Sequence, residues 1–146
     1  MMQIVRTSRL ALYEAAFASS MRALNLEKEL RFITALSGGP DSTALACLAD
    51  LYARSHGKEH QVAIVNHNIR PDATKEAARV CQRMKNRGIT SQILTIEDKA
   101  PETGVQKWAR HKRFDALTNL ARQQGAVVLV AHHQADQAET VLMRLA

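Results

Sequence analysis

An α/β fold built on an open parallel sheet follows from three features of this 146-residue chain. Apolar runs of strand length recur at 32–36, 62–65, 92–96 and 127–131. Stretches with helical periodicity separate them, and strands alternating with helices imply parallel strands joined by crossovers, with helices on both faces. Each apolar run ends on a polar segment, which is where open α/β sheets bind ligands. A chain this long forms one domain and buries roughly 70% of its unfolded surface.

The elements follow in order. The spacing of Leu10, Tyr13, Phe17, Met21 and Leu24 predicts a helix over 8–26,. This N-terminal unit, 1–30, is expected to pack on the domain formed by 31–146. Its arginines raise an organelle presequence, but Glu14, Glu27 and Glu29 point instead to an ordinary packing helix,. Phe32-Ile33-Thr34-Ala35-Leu36 reads as the first strand and 41–54 as the first crossover helix. Val62-Ala63-Ile64-Val65 is the second strand, followed by a helix over 72–87. Gln92-Ile93-Leu94-Thr95-Ile96 is the third. A long helix over 103–124 comes next, opened by Thr103-Gly104-Val105-Gln106 in capping-box form. Val127-Val128-Leu129-Val130-Ala131 is the fourth strand, and a last helix is predicted from near Gln134. Right-handed crossovers restrict the topology. The strand ends to be gathered at one crevice are then Ser37 to Ser42, Asn66-His67-Asn68, Glu97-Asp98 and His132-His133. No internal repeat or low-complexity linker interrupts the chain.

Composition bounds the partners. The formal charge of +6 and the pI of about 9.7 suit a polyanion such as RNA, and suit equally a charge that serves only solubility. Cys47 and Cys81 lie among apolar neighbours in predicted helices, with no Cys-x-x-Cys. They read as reduced, buried thiols of a cytoplasmic protein. No apolar run is long enough to cross a membrane.

Ser37-Gly38-Gly39-Pro40-Asp41-Ser42, between a strand and a helix, has the chemistry of a phosphate cradle. Two glycines let the backbone turn sharply and approach a ligand. The helix start offers free N–H groups and the positive end of a dipole, and the serines add hydroxyls. Pro40 suits a first helical turn. Asp41 has two readings. It is a dipole-favoured residue at a helix start, or it holds Mg2+, which takes carboxylate and phosphate oxygens together. The loop is neither a Walker A loop nor Gly-x-Gly-x-x-Gly.

Three other segments carry chemistry. In Val65-Asn66-His67-Asn68-Ile69-Arg70, the side chains either bond the local backbone or flank a nucleotide base, with Arg70 facing phosphate or RNA. Asn68 tolerates positive φ better than most residues. In the long helix, Ala109, Ala116, Leu117 and Leu120 form a core-facing stripe with Arg113 in line. An arginine there snorkels or finds an anion, so Arg110 and Arg113 are either a solvated basic face or an anion site. In His132-His133-Gln134-Ala135-Asp136-Gln137-Ala138-Glu139-Thr140, adjacent histidines converge poorly on one zinc. Asp136 and Glu139 there also read as a helix cap and its partner.

The pattern Ser-Gly-Gly-x-Asp-Ser at 37–42 resembles the signature of the PP-loop ATP pyrophosphatases. With Val65 to Arg70, Ala109 to Phe114 and His132 to Thr140, the resemblance extends over 32–146 and is to the tRNA(Ile)-lysidine synthase branch. Asn68 and Ile69 depart from the branch's Gly-Leu, and Ala135 departs from the first Asp of its Asp-Asp pair. The resemblance implies a Rossmann-like, adenine nucleotide α-hydrolase-like domain that splits ATP to AMP and pyrophosphate. It implies ligation of free L-lysine to C2 of cytidine 34 in the CAU anticodon of tRNA(Ile), through an adenylylated cytidine. ATP would contact Ser37, Gly38, Gly39, Pro40, Asp41, Ser42, Asn66, His67, His132 and His133. Asp41, Asp136 and Glu139 would hold Mg2+ and orient substrate, while Arg110 and Arg113 neutralise phosphate charge. Ala135 leaves Asp136 as the remaining acid of its pair. A tRNA thiolase is a second reading, disfavoured by the placement of Cys47 and Cys81. A nucleotide-binding module without turnover is a third. The chain stops at Leu142-Met143-Arg144-Leu145-Ala146 in mid-pattern without a cap, so it is expected to continue into tRNA-binding domains.

Overall fold

The computed structural model describes the backbone of residues 2–134 and 137–143 and the side chains of residues 9–131. The elements in chain order are α1 (Met2–Ala23), β1 (Arg31–Ala35), α2 (Pro40–Ser55), β2 (Glu59–Asn66), α3 (Ala73–Asn86), β3 (Ser91–Thr95), α4 (Val105–Gln124), β4 (Val127–Gln134) and β5 (Gln137–Met143). They form one sheet in the order β3-β2-β1-β4-β5. The first four strands are parallel, as their helical crossovers require,.

Successive side chains of a strand point to opposite faces, and this alternation sorts the core into layers. Ile33, Ala35, Ala63, Val128 and Val130 face α4 and pack with its Leu117, Leu120 and Ala121. Phe32, Val127 and Leu129 point the other way, against Leu45, Ala49 and Tyr52 of α2 and Met21 of α1. On that second face, Val62 and Ile64 meet Ala46 of α2 and Ala77, Val80, Cys81 and Met84 of α3. Helices therefore cover both faces of the sheet, as the alternating pattern predicts.

Two expectations are corrected. The predicted N-terminal stripe is only half realised. Met21 is buried and Phe17 packs beside it, but Leu10, Tyr13 and Leu24 are exposed. A helix of this length spans roughly 33 Å; Phe17, Ala18 and Met21 join the core, while Ala11, Glu14 and Ala15 face Leu48 and Leu51 of α2. The segment after β4 is not the predicted helix. Gln137–Met143 turns back as β5 and pairs antiparallel with β4, with Gln134 opposite Gln137 and Val128 opposite Met143. Without it β4 would be a bare edge, and the β-branched Thr140 and Val141 suit a strand. No helix among the described residues is long and apolar enough to cross a membrane.

Candidate functional site

The strand order reverses at β1, whose neighbours are β2 and β4. The crevice beyond the carboxyl ends of these strands is the ligand position of an open α/β sheet. A cleft of about 470 Å³ lies there, on the β1–β2 side, within the range of small-molecule sites. Its floor is Leu36, Ser37, Ile64 and Val65; α3 walls it with Ala73, Ala77 and Val80, and α4 reaches in with Gln106 and Arg113.

The glycine loop is held by its own hydroxyls. Ser37 N–H donates to Ser42 Oγ at 3.1 Å, and Ser42 Oγ donates to the Gly39 carbonyl at 3.2 Å. Thr43 Oγ1 donates to the same carbonyl at 2.8 Å. Ser42 is buried, so its hydroxyl shapes the loop and the Ser37 hydroxyl lines the cleft. Gly38 has φ +91°, and a Cβ there would lie 3.2 Å from Val80 Cγ2. Both facts require glycine at this position. Gly39 caps α2 with extended backbone, and Pro40 opens the first turn as expected. That turn leaves the N–H groups of Asp41 and Ser42 outside the helical ladder, aimed where an anion binds. Asp41 Oδ2 is shielded from solvent at the head of α2.

The segment after β2 bonds its own backbone, as the first reading has it, and also lines the cleft. Asn66 is buried, and its side chain serves the loop: Nδ2 donates to Thr74 Oγ1 at 3.1 Å, and Oδ1 accepts from Asn68 N–H at 2.9 Å. Asn68 takes φ +55°, the turn its residue type allows,. His67 faces the cleft, and its Nδ1 is buried with no hydrogen-bond partner among the described residues. Burial, then the charge of Arg113, lower the His67 pKa, so the ring is neutral near pH 7,. Arg70 stands at the mouth, paired with Glu76 at 3.4 Å.

Arg113 lies in line with Leu117 and Leu120 on α4, as the stripe predicts, and lines the cleft. Burial lowers its pKa first, and the like charge of Arg110 second. Arg110 itself lies over the Phe114 ring, 5.8 Å from its centroid, on the exposed side of the helix. Two neighbouring guanidiniums are destabilised by each other and would be stabilised by an anion between them.

Three expectations need adjustment or fall elsewhere. The capping box does not form: Gly104, not Thr103, is the N-cap, at φ +68° and without a side-chain cap bond. Gln106 is thereby released to line the cleft. Its distance of seven residues from Arg113, two helical turns, was the signal that marks it. Asp98 is paired with Lys112 at the β3–α4 rim rather than in the cleft. His132, His133 and Glu139 have side chains outside the described residues, although the backbone places Glu139 opposite His132 in the β4–β5 register. Asp136 lies outside the described residues altogether. Among described residues no three His, Cys, Asp or Glu side chains form a metal-holding group. Asp41 has the hard carboxylate oxygen that would suit Mg2+ alongside phosphate and water, a set that needs only one or two carboxylates. Cys47 and Cys81 pack in the apolar cluster between α2 and α3, and neither lines the cleft.

Comparison with known proteins identifies the family of the chain. Residues 12–146 match the PP-loop domain family. A tRNA(Ile)-lysidine synthase of Methylobacterium sp. (strain 4-46) is 47% identical over 115 residues, covering 77% of this chain and 33% of the relative. One from Novosphingobium aromaticivorans is 42% identical over 121 residues, covering 82% of this chain and 36% of the relative. One from Rhodopseudomonas palustris is 37% identical over 138 residues, covering 91% and 40% respectively. The chain thus spans about a third of the length of these relatives. Among solved structures, the U34-tRNA thiolase NcsA of Methanococcus maripaludis with its [4Fe-4S] cluster shares the fold, with a TM-score of 0.57, 18% identity and coverage of 66% of this chain and 36% of that one.

Proposed function

The chain belongs to the PP-loop family, and from that premise we propose that it is the ATP-splitting domain of a tRNA(Ile)-lysidine synthase acting in the cytoplasm. ATP binds with its phosphates on the Ser37–Ser42 loop and its base toward Asn66 and His67. O2 of cytidine 34 in a CAU anticodon attacks the α-phosphorus, the α–β bond breaks, and pyrophosphate leaves. The amine of free L-lysine then attacks C2, and AMP leaves with the former O2.

The observation that carries this reading is Arg113 reaching from α4 into the cleft that Ser37 of the glycine loop also lines, with Arg110 close enough to act on its charge. Pyrophosphate gains charge as it departs, and fixed cations aimed at developing charge lower the barrier without reorganising. His67, kept neutral, offers a hydrogen bond without adding charge. Asp41 would hold Mg2+ together with Asp136 and Glu139, and His132 and His133 would flank the nucleotide from β4. Bound there, Mg2+ would shield Asp41 from the phosphates and withdraw charge from their oxygens. The relatives' names support the lysidine reaction over sulfur transfer. The burial of Cys81 and the helical setting of Cys47 also fit poorly with a cysteine-bound cluster.

Asp41→Ala is the test. Asp41 stands at the start of α2, where its loss leaves the core intact. The variant is expected to melt as the parent does and to bind tRNA, but to lose tRNA-dependent ATP–pyrophosphate exchange. Unchanged exchange refutes the assignment. Labelled lysine entering a CAU-anticodon transcript, with AMP rather than ADP released, separates lysidine formation from thiolation.

A further inference from the structure

The glycine loop touches more than the cleft. It also packs on the middle of α3, where Val80, itself a wall of the cleft, lies against Gly38. Arg83, about one turn further along α3, sends its guanidinium to the same spot. Its Nη2 lies 4.0 Å from the position a Cβ on Gly38 would occupy.

Three other arginines of α2 and the ends of α3 are otherwise engaged. Arg54 is bound to Asp50 at 2.7 Å and to the Gly88 carbonyl at 2.7 Å. Arg70 pairs with Glu76, and Arg87 reaches the Cys47 sulfur at 3.5 Å. Arg83 has no carboxylate partner among the described residues. Its charge therefore stands beside the glycine loop with no described carboxylate to neutralise it. It approaches from α3, whereas Arg113 approaches from α4 through the cleft.

We propose that Arg83 is a phosphate contact of the PP-loop, holding the terminal, pyrophosphate end of ATP from α3 while Arg113 reaches in from α4. This rests on the ATP-splitting reading above and adds a residue to it. Arginine suits the task because its planar fork grips two phosphate oxygens at once and keeps its charge at any working pH. The leaving group carries more charge after the α–β bond breaks than before. A contact to it therefore strengthens along the reaction and also holds the product.

Titration calorimetry of the 146-residue chain with ATP and with inorganic pyrophosphate, each with Mg2+, tests this. Arg83→Ala is expected to weaken pyrophosphate about tenfold, the loss of one charge-assisted contact. AMP, which lacks the distal phosphates, is expected to bind as before. Arg83→Lys should recover part of the affinity and Arg83→Gln little, a ranking that a packing role would not produce. Arg83 is exposed, so all three variants should melt with the parent. Equal pyrophosphate affinity in parent and Arg83→Ala overturns the assignment of Arg83 alone. A parent chain that binds neither ATP nor pyrophosphate overturns the reading of the site and Arg83's role with it.

Discussion

Gly38→Ala tests how the loop is built, apart from what it binds. The perturbation has two separable parts. Gly38 sits at φ +91°, where an L-residue is strained by about 1–2 kcal/mol. Alanine recovers about 0.5 kcal/mol by stiffening the unfolded chain, which leaves about 1 kcal/mol from the dihedral. The second part is contact. The new methyl would stand 3.2 Å from Val80 Cγ2, a few tenths of an ångström too close. Val80 is β-branched and packed in the α2–α3 cluster, so it yields only by moving its helix, at about 1 kcal/mol more. The sum, about 2 kcal/mol, lowers the melting temperature by about 6 °C in a domain of this size. Gly104→Ala isolates the first part, because Gly104 also has positive φ, +68°, but has nothing within 4 Å of a Cβ. It should lose about half as much. Val80→Ala combined with Gly38→Ala should remove the contact part and give a coupling of about 1 kcal/mol. Thermal melts of the four variants decide it. If Gly38→Ala melts with Gly104→Ala and shows no coupling to position 80, the packing of the loop on α3 is not what fixes its shape.

Other outcomes follow from the same geometry. Arg113→Ala should lower the rate of tRNA-dependent ATP–pyrophosphate exchange about a hundredfold, as loss of one fixed cation does, while calorimetric stability holds or rises because a buried charge is removed,. Burial holds His60 below its ordinary value against the opposing pull of Asp50, and burial with Arg113 does the same to His67. The unfolded chain therefore binds these protons first, so stability is full above about pH 6.5 and falls as acid is added below it. Thermal melts between pH 8 and pH 5 should show that fall, and a flat profile would refute the burial of a neutral His60. Asp50→Ala should cost about 2–3 kcal/mol in denaturant unfolding, because it strands His60 Nδ1 and frees Arg54,.

Much of this was legible from residue order. Phe32 to Ala35 could be read as a two-sided strand because every position is apolar or small, and the structure buries all four. The loop at 37–42 was legible because glycine and proline act through the backbone, where local sequence dictates geometry. Arg113 was legible because a charge in an apolar stripe is a conflict that needs an explanation. What escaped depended on tertiary pairing. The capping box at Thr103 lost to Gly104, which enters the left-handed region at little cost and begins the helix one residue later. Leu10 and Tyr13 have helical spacing, but it is Ala11, Glu14 and Ala15 of the same helix that face α2. The strand Gln137–Met143 exists because β4 has an open edge beside it, a fact no local window contains. Arg83 was invisible for the same reason: nothing in α3 announces that its middle lies under the glycine loop.

One arrangement away from the cleft has the order of a hydrolase triad, and physics assigns it a different task. Thr34 Oγ1 lies 2.8 Å from His60 Nε2, and His60 Nδ1 lies 3.0 Å from Asp50 Oδ1. The carboxylate only accepts, so Nδ1 carries the proton and the threonine hydroxyl donates to Nε2. A nucleophile needs that hydroxyl bare at a surface where a substrate can reach it. Thr34 is instead 0% exposed in the middle of β1, and the His60 side chain is 1% exposed. The chain of bonds therefore fastens β1, β2 and α2 to one another, and Arg54 extends it from Asp50 to the Gly88 carbonyl beyond α3. These are the elements from which the glycine loop hangs: β1 ends just before it and α2 begins within it. A polar network satisfied at each of its bonds fixes register where an apolar contact would allow sliding. Thr34→Val keeps shape and burial but orphans His60 Nε2. It should loosen the β1–α2 junction and slow amide exchange less at Ser37 to Thr43 than the parent does, with the α4 face unchanged. Protection lost equally on both faces would mean that the network stabilises the domain as a whole and does not specifically brace the loop.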